Sequence, residues 1–290
     1  MSFTEKVKLE IIKNLSPRPC CFFAFLKGLT AESREESAII FKSESKMVAE
    51  ALFEHISYLV RTFKFGSQMI TNLKLSEYKG KAVYFVYITG PSGAAFSDFS
   101  TDKQCGEERK AFLSGVFVGF GSVTDPKKTY LLEISFRTKA AVNKAMFEFV
   151  SEGYILKLSI KNKRFSMYLK EYDIISELLA FMNAPLNYLE IINVNIIKQQ
   201  RNKANRILNC DKANIDKQLV ASARQVSAIR KIMKNGIFAV LDRQLQTVAE
   251  TRLKNREAPL AELAEIVGLS RSQIDYKLKK LMAIANKLKD

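Results

Sequence analysis

Between Ser270 and Lys280 the chain reads SRSQIDYKLKK, a run of side chains suited to holding nucleic acid. Arginine offers a planar fork of donors that matches a guanine edge or a phosphate, and lysine offers a mobile point charge. Serine, glutamine, aspartate and tyrosine add hydrogen bonds to base edges or backbone. Material for covalent or metal chemistry is poorer. Cys20, Cys21, Cys105 and Cys210 lack metal-ligand spacing, and His55 is the one histidine. Adjacent cysteines bridge each other poorly, and one histidine cannot build a Cys/His site. Reduced thiols are expected, with no metal, no cofactor and no catalytic residue.

The basic run needs a scaffold, and the preceding residues provide one. Leu260, Leu263, Ala264 and Val267 fall at i, i+3, i+4 and i+7, an apolar helical stripe. Gly268 stops that helix where a tight turn needs positive φ. Ser270 with Gln273 reads as a capping box that starts a second helix, which points Ile274, Leu278 and Leu281 inward. Helix, glycine turn and helix make a helix-turn-helix, whose second helix would lie in a DNA major groove. The residues expected to meet DNA are Ser270, Arg271, Ser272, Gln273, Asp275, Tyr276, Lys277, Lys279 and Lys280. Two ordinary amphipathic helices with a solvated charged face are the plainer reading. They would not require a small residue at Ala264, a glycine turn and a short hydroxyl cap together.

Charge agrees with that reading. The chain carries a net +16 over 290 residues, and the segment from Lys198 onward holds 20 Lys and Arg against 9 Asp and Glu. A basic field concentrated in the last third suits a polyanion. An anionic membrane surface suits it less, because neither helix has an aromatic interfacial face. No apolar run approaches the ~20 residues of a membrane span. The N-terminal MSFTEKVKLEIIKNL is a charged amphipathic helix, unlike a signal peptide. A cytoplasmic protein is expected.

The rest of the chain contains a repeat. After Pro17 and Pro19, helix Cys20–Glu32 precedes a strand at Ser37–Ser43, a helix at Lys46–Phe63 and strands near Gln68–Leu75 and Ala82–Thr89. The turn Gly90–Gly93 leads into Ala94–Lys103. The order then recurs: helix Glu107–Phe120, strand Thr129–Arg137, helix Lys139–Ser151, hairpin Tyr154–Ile160 with Arg164–Lys170, and helix Tyr172–Met182. Ala24-Phe25-Leu26-x-Gly28 lines up with Ala111-Phe112-Leu113-x-Gly115, and Val48-x-x-Ala51-Leu52-Phe53 with Val142-x-x-Ala145-Met146-Phe147. A longer loop at Gly121–Lys128 absorbs the difference between the two offsets. Such a repeat predicts an α+β fold of two αβαββα halves related by a pseudo-twofold axis. The expected divisions are a duplicated domain over 1–190, with halves of about 18–100 and 105–185, a basic linker over 191–214, and an all-α helix-turn-helix domain over 215–290. Within that last domain, Leu219, Val226, Ile229 and Met233 are expected on the inner face of a helix Ile215–Met233, followed by a helix Phe238–Leu253.

Leu113-Ser-Gly-Val-Phe-Val-Gly-Phe-Gly121 resembles the LAGLIDADG motif of homing endonucleases, with Gly115 and Gly119 at the i, i+4 spacing of a close helix crossing. In that family the motif's last acid binds the catalytic Mg²⁺. Phe120 holds that place here, and Ser33 holds it in the first half, where Glu32 and Glu35 stand nearby. A shared-metal phosphodiester site needs carboxylates from both helices, so the resemblance implies the fold without the nuclease.

A degenerate LAGLIDADG domain ahead of a helix-turn-helix resembles the WhiA family of bacterial sporulation and cell-division regulators. The resemblance includes Arg18-Pro-Cys-Cys21, Arg109-Lys-Ala-Phe-Leu-x-Gly-x-Phe117, Gly121-Ser-Val-x-Asp-Pro126 and Tyr130-x-Leu-Glu-Ile134. Its most specific mark is Arg201-Asn-x-x-Asn-Arg206 with Asn209-Cys-Asp-x-Ala-Asn214. It implies a nucleoid-associated regulator of transcription, cell division or chromosome segregation. Its partners would be double-stranded DNA and other transcription or division proteins, with no membrane and no small-molecule substrate. The recognition helix departs from the family's Ser-Lys-Ser-Gly-Val-Asn-His-Arg, reading Ser270-Arg-Ser-Gln-Ile-Asp-Tyr-Lys277, which changes the base edges it could read. Lys161, Lys163 and Arg164, on the second hairpin, fit either a solvated turn or a contact to the DNA backbone.

Overall fold

The computed structural model describes residues 1–32, 38–62, 70–78, 80–89, 105–161 and 163–288. The chain divides into two compact units, Met1–Lys198 and Gln199–Asp290. The fold is α+β.

In the first unit α1 (Phe3–Lys13) precedes two similar halves. One runs α2 (Pro19–Leu29), β1 (Ala38–Ser43), α3 (Lys46–Thr62), β2 (Ile70–Tyr78) and β3 (Lys81–Thr89). The other runs α4 (Glu108–Phe120), β4 (Gly121–Val123), β5 (Leu132–Phe136), α5 (Lys139–Ser151), β6 (Lys157–Lys161), β7 (Arg164–Leu169) and α6 (Tyr172–Phe181). The antiparallel sheets have orders β1-β3-β2 and β4-β5-β7-β6. Thus β1, β2 and β3 occupy the places of β5, β6 and β7. The pairs Phe41–Val86 and Ile134–Met167 sit in equivalent registers, and all four side chains are buried.

The halves meet where α2 crosses α4, and glycine determines how closely. A Cβ on Gly28 would strike the Phe112 carbonyl and come within 2.9 Å of the Val116 nitrogen. A Cβ on Gly115 would strike the Phe25 carbonyl and come within 2.9 Å of the Leu29 nitrogen. Phe25 and Phe112 are equivalent in the repeat, as are Leu29 and Val116. Each glycine therefore meets the counterpart of the residues that its own twin meets, the reciprocity that a pseudo-twofold axis demands. The two helices run side by side in the same direction, with Phe22, Phe25, Leu26, Leu113, Val116 and Phe117 buried around the crossing.

Several boundaries differ from expectation. The stretch Gly121–Lys128 is not all loop: Gly121–Val123 is a strand paired with β5. Three residues are too few for an alternation pattern to show. Helix α2 ends at Leu29, short of Glu32. The first of the expected strands begins at Ala38, and Ser33, Glu35, Ser37, Gln68 and the turn Gly90–Gly93 with Ala94–Lys103 lie outside the described residues. The basic segment 191–214 and the helix expected to follow it are one helix, α7 (Pro185–Lys234), which crosses the division between the units. No glycine or proline interrupts the sequence from Leu186 to Asn235, so nothing in the backbone forces an end. On its C-terminal part Val226, Ile229 and Ile232 are buried, whereas Leu219 and Met233 are 39% and 43% exposed. The expected helix Phe238–Leu253 is a 3₁₀ turn, Ile237–Val240, followed by α8 (Arg243–Lys254). Asp242 caps α8 by accepting from Gln244 N at 3.2 Å, and so starts a new helix.

Candidate nucleic-acid interface

In the second unit, α8, α9 (Leu260–Val267) and α10 (Arg271–Asn286) enclose a core of Leu245, Val248, Ala249, Leu263, Ala264, Ile274, Leu278, Leu281 and Ala285, with Ile229 and Ile232 of α7. Gly268 joins α9 to α10 at φ 70°, with no neighbouring atom within 4 Å of a would-be Cβ. Its requirement is conformational, as the turn demands. Ser270 then caps α10 reciprocally: Gln273 N donates to Ser270 Oγ at 3.2 Å, and Ser270 N donates to Gln273 Oε1 at 2.9 Å. The cap fixes where α10 begins, and hence which side chains occupy its first exposed turn.

One supporting residue was not foreseen. Arg252 is 2% exposed and donates to the carbonyls of Asn255 (3.4 Å), Arg256 (3.4 Å) and Ala258 (2.7 Å). It gathers the α8–α9 connection around a single guanidinium, and burial pulls its pKa below the usual arginine range. The signal was present: with Leu245, Val248 and Ala249, Arg252 occupies the i+7 place of the inner stripe of α8.

The outward face of α10 divides into engaged and unengaged residues. Asp275 pairs with Lys279 at 2.7 Å, and Lys277 donates to Gln244 Oε1 on α8 at 2.7 Å. Ser270 and Gln273 are used in the cap. Arg271, Ser272, Tyr276 and Lys280 are exposed, Tyr276 by 67%, and their side chains make no hydrogen bond or ion pair among the described residues. The expected set is thus brought onto one helix, with four side chains left for an external partner.

The foot of the α2–α4 crossing is built differently. Phe120 closes α4, with its ring centroid 5.0 Å from that of Phe136. Glu32, past the end of α2, accepts from Arg137 N and from Thr138 N at 3.0 Å, so it holds the start of α5. Both residues line a cleft of about 440 Å³, together with Lys42, Arg137 and Arg164. Glu32 is the one carboxylate among the described lining residues, which also include these three cationic side chains. Lys161, Lys163 and Arg164 are all exposed, and Lys161 pairs with Arg164 across the hairpin.

Two family descriptions match successive parts of the chain: the WhiA LAGLIDADG-like domain over residues 109–201 and the WhiA C-terminal HTH domain over residues 204–285. A relative from Clostridium tetani, named "Probable cell division protein WhiA", is 35% identical over 99% of this chain and 98% of its own length. The chain belongs to the WhiA family. A second WhiA, from Lachnoclostridium phytofermentans, is 28% identical with both chains fully covered. The crystal structure of full-length WhiA from Thermotoga maritima covers both chains completely at 22% identity, with a TM-score of 0.62, and so shares the fold. No helix of the described residues is long and apolar enough to cross a membrane.

Proposed function

We propose that this chain is a regulator of the bacterial nucleoid that binds double-stranded DNA through α10 and acts in transcription, cell division or chromosome segregation, without cutting DNA. The observation that carries the reading is the capped α10, which presents Arg271, Ser272, Tyr276 and Lys280 unengaged. A helix N-terminus aimed at a duplex also favours phosphate oxygens, which adds a sequence-independent hold. The relatives' name ties the family to cell division, and the helix-turn-helix match supports DNA binding by the unit from Gln199 onward. Ser270, Gln273, Asp275, Lys277 and Lys279 position that face more than they read it. The protein acts in the cytoplasm, on the nucleoid.

The foot of the crossing supports the reading that the chain does not cut DNA. Phe120 stands where one metal-binding acid would, and Glu32 is committed to the α5 backbone. Among the described residues a single carboxylate lines this cleft beside three cationic side chains, a poor lining for a divalent-cation site shared by two helices.

Footprinting of the purified chain on genomic DNA with Mg²⁺ present tests both halves of this reading. Discrete protected sites on uncut DNA are expected. Smooth coverage without sites would make the protein an architectural nucleoid component. Cleavage that persists through repurification and disappears on Glu32→Gln would make it an active endonuclease.

A further inference from the structure

Three sulfur atoms meet where α2 and α4 begin. Cys20 and Cys21 lie in the first turn of α2, and Cys105 lies just ahead of Glu108, the first residue of α4. Cys105 Sγ is 3.1 Å from Cys20 Sγ and 3.3 Å from Cys21 Sγ, and all three sulfurs lie within 4.8 Å of one another. Cys21 is fully buried and Cys20 nearly so, while Cys105 is partly open to solvent. The Glu108 carboxylate accepts from Cys105 N, which holds it beside the cluster. The Arg18 side chain lies near Cys105.

We propose that Cys20, Cys21, Cys105 and Glu108 form a binding site for a thiophilic divalent cation of the zinc type. Zinc takes sulfur at about 2.3 Å in a tetrahedron, which places ligating sulfurs roughly 3.8 Å apart. The two Cys105 pairs, at 3.1 and 3.3 Å, need to open by about 0.5–0.7 Å to reach that spacing, and a swing of the Glu108 side chain would bring in its carboxylate as the fourth donor. Three thiolates and a carboxylate around a dication leave a net negative charge. Arg18 stands beside it, and the parallel α2 and α4 both direct their N-terminal ends at it, which favours anions and thiolates. The partly open Cys105 gives the cation its way in. The ligands come from both halves of the repeat, so the metal ties the halves together at the end of the crossing remote from Phe120. Sequence spacing concealed the cluster, because Cys105 joins its partners only when the duplication sets α2 beside α4.

The test uses the full chain with Cys210→Ser, which removes the exposed thiol, reduced, stripped with chelator and titrated with Cd²⁺. One equivalent is expected to produce an ultraviolet sulfur-to-metal charge-transfer band of three-thiolate intensity. Cys20→Ser and Cys105→Ser should each lower that intensity by about a third. Glu108→Gln, which preserves every sulfur, should keep the band and weaken the affinity by about 10–100-fold. Zn²⁺ in excess should compete with Cd²⁺ for the site, and either metal should raise the melting temperature. The proposal is overturned if the folded chain, confirmed by circular dichroism, shows no band, or if Cys105→Ser leaves the band unchanged. It is equally overturned if the protein purifies with a Cys20–Cys105 disulfide and, once reduced, takes up no Cd²⁺, which would mark an oxidisable pair.

Discussion

Arg271 opens α10, and its guanidinium is long enough to donate to guanine O6 and N7 together. Arg271→Ala is therefore expected to cost about 1–3 kcal/mol on a specific site and much less on random DNA. Competition titrations of target against scrambled duplex measure the difference. Equal losses on both duplexes would mean that Arg271 holds phosphate and reads nothing. At this scale the sequence was legible where a residue's role is local. The cap at Ser270 and Gln273 and the inward Ile274, Leu278 and Leu281 depend on neighbours within a turn or two, and spacing alone reveals them. Lys277 shares the outward face of α10, and it also donates to Gln244 on a different helix. Such a bridge between residues distant in the sequence leaves no mark on the spacing. Arg252 lay in an inner stripe, but an arginine is ordinarily taken for surface, and only the three converging carbonyls explain its burial.

Among the elements, the α2–α4 crossing depends most on single residues. Gly28 and Gly115 each face backbone atoms, which cannot swing aside as a flexible side chain would. Gly28→Ala and Gly115→Ala should each destabilise the first unit by about 3 kcal/mol, at the upper end of ordinary overpacking costs, because relief requires the helices to separate. Gly268→Ala should cost less, about 1–2 kcal/mol, since its neighbourhood is empty and only the left-handed backbone resists. Denaturant unfolding of the three variants gives this order, and a Gly28→Ala protein as stable as the wild type would refute the close crossing. The duplication and the crossing were readable because paired motifs and small-residue spacing record them directly. The continuity of α7 was not. Its polar composition resembles a connecting segment, and a helix that lacks breakers but has no apolar stripe over Arg201–Ile215 announces no period.

For the whole molecule, the division of labour between the two units is the central claim. From Lys198 onward the chain holds 20 of its 46 Lys and Arg but only 9 of its 30 Asp and Glu, and the same region contains α10. The first unit keeps the LAGLIDADG-like scaffold with Phe120 and an engaged Glu32 at its foot. Family membership and fold class were legible in the sequence because motifs run through the full length. The thiol cluster and the foot cleft were not, because each is assembled from residues of both halves. The most direct measurement compares DNA affinity of residues 199–290, residues 1–198 and the full chain at two salt concentrations. Residues 199–290 are expected to retain most of the affinity, which should fall steeply with salt as each neutralised phosphate adds about −0.9 to the log–log slope. The opposite result, with residues 1–198 retaining the affinity and residues 199–290 binding no DNA, would contradict the account.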